Sequence, residues 1–142
     1  EAGRPTINTL WFWGAGRLPA ATRAPYQKVS GGDTLARGLA RHAGVPWQPA
    51  GDALPTTGST LLIEEQLQPP AQQLDAQAWR DAMLTLDRER LAPLVAALHG
   101  GRVEKLLLTG LGDETTLDLE LTRGDALRFW RRPRTLMDAL RP

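Results

Sequence analysis

The stretch SGGDTLARGLARHAGV, residues 30–45, decides the fold because it begins and ends like a helix. Asp33 or Thr34 can cap the N-terminus, since a short side-chain oxygen accepts a hydrogen bond from a free backbone N–H there. Leu35 and Leu39 share one helix face at i, i+4 spacing. The stretch therefore predicts one helix, which ends at the Gly-Val pair.

On both sides of this helix, strand and helix patterns alternate. Short β-branched, aromatic or apolar runs predict strands, at residues 7–13, 26–29, 60–65, 103–109 and 116–121. Helical spacing of apolar residues predicts further helices, at about residues 75–99, 124–130 and 135–140. Pro93 inside the longest of them predicts a kink or two abutting helices. The clean alternation of the last strand makes it a hairpin partner of the one before, and residues 46–58 form a loop.

This order of elements predicts the α/β class, with a layered mixed sheet of about four to five strands flanked by helices. A chain of 142 residues suits one compact domain, residues 1–142. Because the chain has no initiator Met and reaches a strand-like run at once, we expect it to be the C-terminal portion of a longer protein.

Composition narrows the classes of function. The net charge is +1, so no global field recruits nucleic acid or an anionic membrane. The chain has no cysteine, which excludes disulfides and zinc sites that need sulfur. No apolar run approaches the ~20 residues of a membrane span, and no signal-peptide pattern is present. We therefore expect a cytoplasmic protein without a membrane partner.

Two glycine-containing stretches are candidate anion sites. In WGAGRLP, residues 13–19, Gly14 and Gly16 let the backbone approach a phosphate and Arg17 adds a positive charge. A dinucleotide fingerprint needs a third glycine and a following helix, whereas Leu-Pro follows here. The exit turn of a strand is therefore the favoured interpretation.

The second candidate anion site is SGGD, with Gly31, Gly32 and Asp33 at a helix N-terminus. Free N–H groups and the helix dipole favour an anion at such a place. Most helix starts carry these residues as a simple cap, so the cap is the favoured interpretation.

Catalytic and metal-binding patterns are weak. The two histidines, His42 and His99, have no partner at metal-ligand spacing. The adjacent carboxylates Glu64 and Glu65 point to opposite faces of a strand, so they do not readily share one ion. Neither serine lies in a G-x-S-x-G motif. We therefore expect no catalytic residue, no metal site and no cofactor.

The basic stretch LRFWRRPR, residues 127–134, contains Trp130 and Arg131. Arginines interleaved with aromatic residues can bind a nucleic-acid strand, but a near-neutral chain favours a C-terminal helix with solvated arginines instead. Trp and Arg are also typical anchors of protein interfaces. We expect Trp130, Arg131 and an exposed Trp47 to contact a protein partner, and nucleic acid to be an unlikely one.

Four stretches together resemble a known family: NTLWFWGAGRLP, DTLARGLARHAGV, LDRERLAPLVAALHGGRVEKLLLTG and LRFWRRPRTL. They resemble the C-terminal part of RpfE-type bacterial regulatory proteins, which are cofactor-independent phosphoglycerate-mutase-like proteins. The sharpest elements are Asn8, Trp11, Trp13-Gly14, Gly16, Pro19 and Phe129-Trp130-Arg131. The mutase relatives belong to the alkaline-phosphatase superfamily, so the resemblance implies a layered α/β sandwich, two divalent metals and a phosphorylated Ser or Thr.

The chain departs from that family where the metal ligands should stand. After the 60–65 strand it offers Glu64 and Glu65 but no histidine. Thr109 is followed by Gly-Leu-Gly in place of the Asp-His of the family motif. No catalytic residue is therefore transferred from the family to this chain.

Three functions follow as expectations. The first is a non-catalytic regulatory or interaction domain that binds another protein or the rest of its own full-length chain. The alternative is a metal-dependent phosphoglycerate mutase or phosphatase completed by an absent N-terminal segment. The third and weakest is a sensor of small anions or nucleotides that uses SGGD and Arg17.

Overall fold

The computed structural model of the chain describes residues 16–20, 23–51, 58–112 and 115–127. The strands are β1 (Lys28–Gly31), β2 (Trp47–Gln48), β3 (Thr60–Ile63), β4 (Lys105–Leu111) and β5 (Thr116–Thr122). The helices are α1 (Thr34–His42), α2 (Gln68–Gln72), α3 (Ala76–Leu86), α4 (Ala92–His99) and α5 (Arg123–Ala126), with a π-helical turn at Asp87–Leu91. These elements confirm the mixed α/β class. The predicted strand at 7–13 and helix at 135–140 lie outside the described residues.

A small parallel sheet has the strand order β2-β1-β3. The central strand β1 pairs Val29 with Trp47 on one side and with Leu61 on the other. Because β1 has a neighbour on each side and α1 packs against it, Val29 and Ser30 are buried. The described core of this sheet therefore centres on β1.

Helix α1 begins and ends where the sequence predicts. Asp33 caps it, as its Oδ1 atom accepts hydrogen bonds from the N–H groups of Leu35 and Ala36. Gly44 follows the helix with a positive φ of 68°, a conformation that favours glycine. The shared face of Leu35 and Leu39 is exposed, whereas Ala40 is buried. A small residue faces the sheet here.

The long helical region is divided into α3, the π-helical turn and α4, so the predicted interruption near Pro93 is confirmed. Proline cannot donate a hydrogen bond to the carbonyl four residues earlier, and its ring collides with that carbonyl. The carbonyl belongs to Glu89 in the π-helical turn. This wider turn lets the chain continue as helix past Pro93.

Strands β4 and β5 form the predicted antiparallel hairpin, in a sheet separate from the first. Within the described ranges no strand joins the two sheets, which together contain five strands. Helix α4 contacts β4 and α5 contacts β5, so both helices adjoin the hairpin. None of the helices in the described segments has the length and apolar character needed to cross a membrane.

We expect Asp33→Ala to lower the free energy of unfolding by about 1 kcal/mol, the usual cost of losing an N-cap. Its carboxylate satisfies two N–H groups of α1 at 2.8 and 3.1 Å, and alanine would leave them to water. Urea unfolding followed by circular dichroism measures the change. Asp33→Asn is the control, because asparagine keeps an accepting oxygen and caps helices equally well; equal losses in both variants would contradict the capping role.

Candidate functional site

All three strands of the parallel sheet end at one edge, which we call the strand-end edge. Its residues are Gly31–Asp33 after β1, Pro49–Gly51 after β2 and Glu64–Glu65 after β3. In open α/β sheets, ligands bind outside the carboxyl ends of the strands. The sequence-predicted residues Gly31, Gly32 and Asp33 therefore lie where a ligand site would be expected.

The two glycines at this edge are explained by packing. Gly31 has φ +82°, and a Cβ atom there would lie 2.1 Å from the carbonyl oxygen of Ile63. Gly32 has φ +76°, and its Cβ would lie 2.7 Å from the Cβ of Ala36. Close approach of β3 and α1 thus requires glycine at both positions without any bound phosphate.

Trp47 is half-buried in β2, so its prediction as an exposed loop residue is wrong. Its indole N–H donates a 2.9 Å hydrogen bond to the carbonyl oxygen of Gly31. The Arg37 guanidinium lies 5.3 Å from the ring centroid, within cation–π range. Two residues of strand are too short to show a period in the sequence, and pairing with β1 holds them extended.

The predicted anion site is already occupied by a side chain of the protein. Asp33 takes the N–H groups of Leu35 and Ala36, and its carboxylate would repel an incoming anion. Gly16 and Arg17 are exposed, and among the described residues nothing lies within 4 Å of the position of a Cβ atom at Gly16. Gly14 lies outside the described residues. Anion binding at these positions stays a prediction.

An ion pair that sequence reasoning missed ties the strand-end edge to the helices. The Nε atom of Arg90, in the π-helical turn, lies 2.9 Å from Oε1 of Glu64. The Arg90 Nη1 group also donates to the carbonyl oxygen of Gly51. The side chains of Arg90 and Glu64 are only 15% and 26% exposed. The negative charge of the Glu64 carboxylate is therefore balanced by Arg90. Because the two residues are far apart in the sequence, no spacing pattern could have predicted this pair.

The resemblance implies a two-metal centre, which needs several convergent ligands. Within residues 16–20, 23–51, 58–112 and 115–127, no three His, Asp or Glu side chains converge on a point that could hold a metal ion. Glu64 pairs with Arg90 and Asp33 caps α1. The described donors do not fit a two-metal centre.

The hairpin has one wholly apolar side, which we call the leucine face: Leu106, Leu108, Leu117, Leu119 and Leu121. The register places Leu106 opposite Leu121 and Leu108 opposite Leu119, so alternation along both strands puts them on one side. Leu106, Leu117 and Leu121 are half-buried. Leu108 and Leu119, the middle pair of this side, are each 38% exposed. The apolar side is thus most open at its middle.

The opposite side of the hairpin is mostly polar. Lys105 forms a 3.1 Å ion pair with Glu120, and the Thr109 hydroxyl donates to Asp118 at 2.6 Å. Two residues break the pattern: Leu107 is 67% exposed and Leu111 is 83% exposed. Both belong to β4, so this strand carries apolar residues on each of its sides.

Trp130 and Arg131, the other predicted contact residues, lie outside the described residues. Comparisons of the chain with protein-family models, curated proteins and solved structures found no match. The leucine face is a surface feature that individual sequence motifs did not single out. The sequence pattern that could have found this face is the alternation of leucines in two neighbouring strands. This pattern shows that the leucines share one side of the hairpin, but not whether other residues of the protein pack against that side.

Proposed function

We propose that this chain is a non-catalytic regulatory domain that binds another protein in the cytoplasm. We further propose that it derives from the phosphoglycerate-mutase-like fold, including that fold's layered mixed sheet of four to five strands. The leucine face is the observation that carries the binding proposal. Exposed apolar residues that share one side of a sheet are typical of interaction surfaces.

The dimensions of the hairpin indicate what kind of partner fits. A seven-residue strand is about 23 Å long, whereas a packed helix occupies about 10 Å. Leu108 and Leu119, in the middle of the leucine face, are each 38% exposed. One helix is therefore wide enough to cover this pair. We propose an amphipathic helix of the partner protein, with its apolar side on these two leucines.

Replacing a leucine of this pair tests the proposal. A photo-crosslinking residue at position 119 should capture the partner from a bacterial extract, and the captured protein is then identified and purified. We expect Leu119→Glu to weaken its binding at least tenfold, because a buried, unpaired carboxylate is costly at an apolar interface. Calorimetric titration of the purified partner measures this.

Thr116→Glu is the matched control, since it adds the same charge to the same strand on the opposite, exposed side. It should leave the affinity unchanged. Leu119→Ser covers the case in which glutamate disturbs folding, and circular dichroism checks all three variants. Equal affinities for wild type and Leu119→Ser would overturn the assignment of the leucine face.

A metal-dependent mutase or phosphatase is the second candidate. An absent N-terminal segment would have to complete its metal centre, because the described carboxylates do not form one. The strand-end edge favours it, because α/β enzymes bind ligands at this edge. Turnover of phosphoglycerates and p-nitrophenyl phosphate with manganese, zinc or magnesium tests it. Metal-dependent turnover that Glu64→Gln abolishes would replace the binding proposal; no turnover with any of the three metals is expected.

A further inference from the structure

Among the described strands, none pairs with the outer edge of β4, and the backbone groups that point to this edge follow from one hydrogen bond. Gly112 N–H donates to the Thr115 carbonyl at 2.9 Å, so these two residues form a hydrogen-bonded pair. Such pairs alternate with non-hydrogen-bonded pairs along an antiparallel ladder. The residues that direct N–H and C=O groups away from β5 are therefore Lys105, Leu107, Thr109 and Leu111.

The two edges of the hairpin differ in their protection. Proteins commonly place charged side chains on a free strand edge, where they disfavour pairing with another strand. Strand β5 carries Asp118 and Glu120 in its middle, whereas β4 has Lys105 at its first position and no other charge. In the described part of the chain no strand pairs with the outer edge of β4. Within the described ranges that edge thus has neither a paired strand nor a charge near its centre, which the exposed Leu107 and Leu111 flank.

We propose that β4 pairs antiparallel with β4 of a second copy of this chain, around a twofold axis at Thr109. In this register Thr109 lies opposite the partner subunit's Thr109, and Leu107 lies opposite the partner subunit's Leu111. Pairing therefore covers the two most exposed leucines of the hairpin with each other, twice per dimer.

Self-pairing of β5 is the unfavourable alternative. Its sequence TLDLELT is symmetric in charge about Leu119. A twofold axis there would set Asp118 opposite the partner subunit's Glu120 on both sides of the axis. Like charges directly opposite each other destabilise a strand pair. The charge pattern therefore selects the β4 edge as the dimer interface.

The proposed dimer contains a four-stranded antiparallel sheet with the order β5-β4-β4-β5. In the stated register Leu108 lies on the same side as the partner subunit's Gly110, so the two leucine faces join into one. A two-stranded hairpin is marginal alone, and additional strands stabilise it. This inference goes beyond the proposed function, because the edge and the leucine face are different surfaces, which separate substitutions address.

Paired proline variants test the dimer. Thr109→Pro and Asp118→Pro both remove the Thr109–Asp118 hydrogen bond, and each removes an N–H that points away from the hairpin. Light scattering after size exclusion, at about 1 to 200 µM protein, a range suited to a small interface, gives the molecular mass. We expect wild type and Asp118→Pro to change from monomer to dimer as concentration rises, and Thr109→Pro to stay monomeric.

A cysteine probe tests the register, and the absence of natural cysteine makes the readout clean. Opposed residues in a hydrogen-bonded pair have Cα atoms about 5.5 Å apart, which a disulfide can span. Under mild oxidation Thr109→Cys should give a disulfide-linked dimer at least tenfold faster than Asp118→Cys. Non-reducing electrophoresis measures the rates.

Two results would overturn the proposal: a monomeric wild type at every concentration, or a dimer that Thr109→Pro leaves intact. Leu107→Lys, at an exposed position, covers the case in which proline unfolds the hairpin, and it should also give a monomer. Binding of the partner protein tests the leucine face separately. We expect the Thr109→Pro monomer to bind this partner and Leu119→Glu to lose the binding. Failure of one proposal is therefore distinguishable from failure of the other.

Discussion

Gly31→Ala is expected to lower the free energy of unfolding by at least about 3 kcal/mol, a large share of the total stability of a small domain. Two effects add. A non-glycine residue in the left-handed region costs about 1–2 kcal/mol, and Gly31 has φ +82°. In addition, the new Cβ would lie 2.1 Å from the carbonyl oxygen of Ile63, so β1 and β3 must move apart and their pairing is strained.

Gly44→Ala separates these two effects. Gly44 also has a positive φ, but apart from its chain neighbours no atom of the described residues lies within 4 Å of the position of its Cβ. We expect this control to lose about 1 kcal/mol, from the backbone conformation alone. Urea unfolding followed by circular dichroism gives both values. Similar losses in the two variants would show that the contact of Gly31 with Ile63 does not govern packing of the sheet.

The parts of the fold predicted from the sequence are those set by neighbouring residues. Asp33 and Gly44 delimit α1 because capping and left-handed turns are local properties of the chain. The β4–β5 hairpin was predicted for the same reason, since alternation and a short turn specify it. Trp47 was placed in a loop because its strand exists only through pairing with β1.

Less of the candidate site could be predicted, because burial and distant contacts decide it. The glycines at 31 and 32 were visible as a possible anion loop, but their close contacts with Ile63 and Ala36 depend on packing between elements. The leucines of the hairpin were visible as strand residues. That Leu108 and Leu119 are exposed depends on what packs against the hairpin, which a pattern in one strand does not encode.

Arg90→Ala is expected to lower the free energy of unfolding by about 2–3 kcal/mol, because it leaves a partly buried Glu64 carboxylate without its charged partner. It also removes the hydrogen bond to the Gly51 carbonyl. Arg90→Lys should recover part of the loss only, since one ammonium group cannot reproduce the planar, forked geometry that serves both acceptors. The free energy of unfolding is measured in urea, because guanidinium chloride is a salt and would screen the ion pair.

Arg88→Ala is the matched control for this variant. Arg88 lies in the same π-helical turn and is exposed, so the two substitutions change helix propensity equally. Arg90, in contrast, forms the ion pair with Glu64, the residue that follows β3. We expect Arg88→Ala to stay within about 0.5 kcal/mol of wild type. Lys105→Ala, which breaks the exposed pair with Glu120, should cost about 0.5 kcal/mol. If Arg90→Ala cost no more than these two, the ion pair would not connect the strand-end edge to the helices in solution.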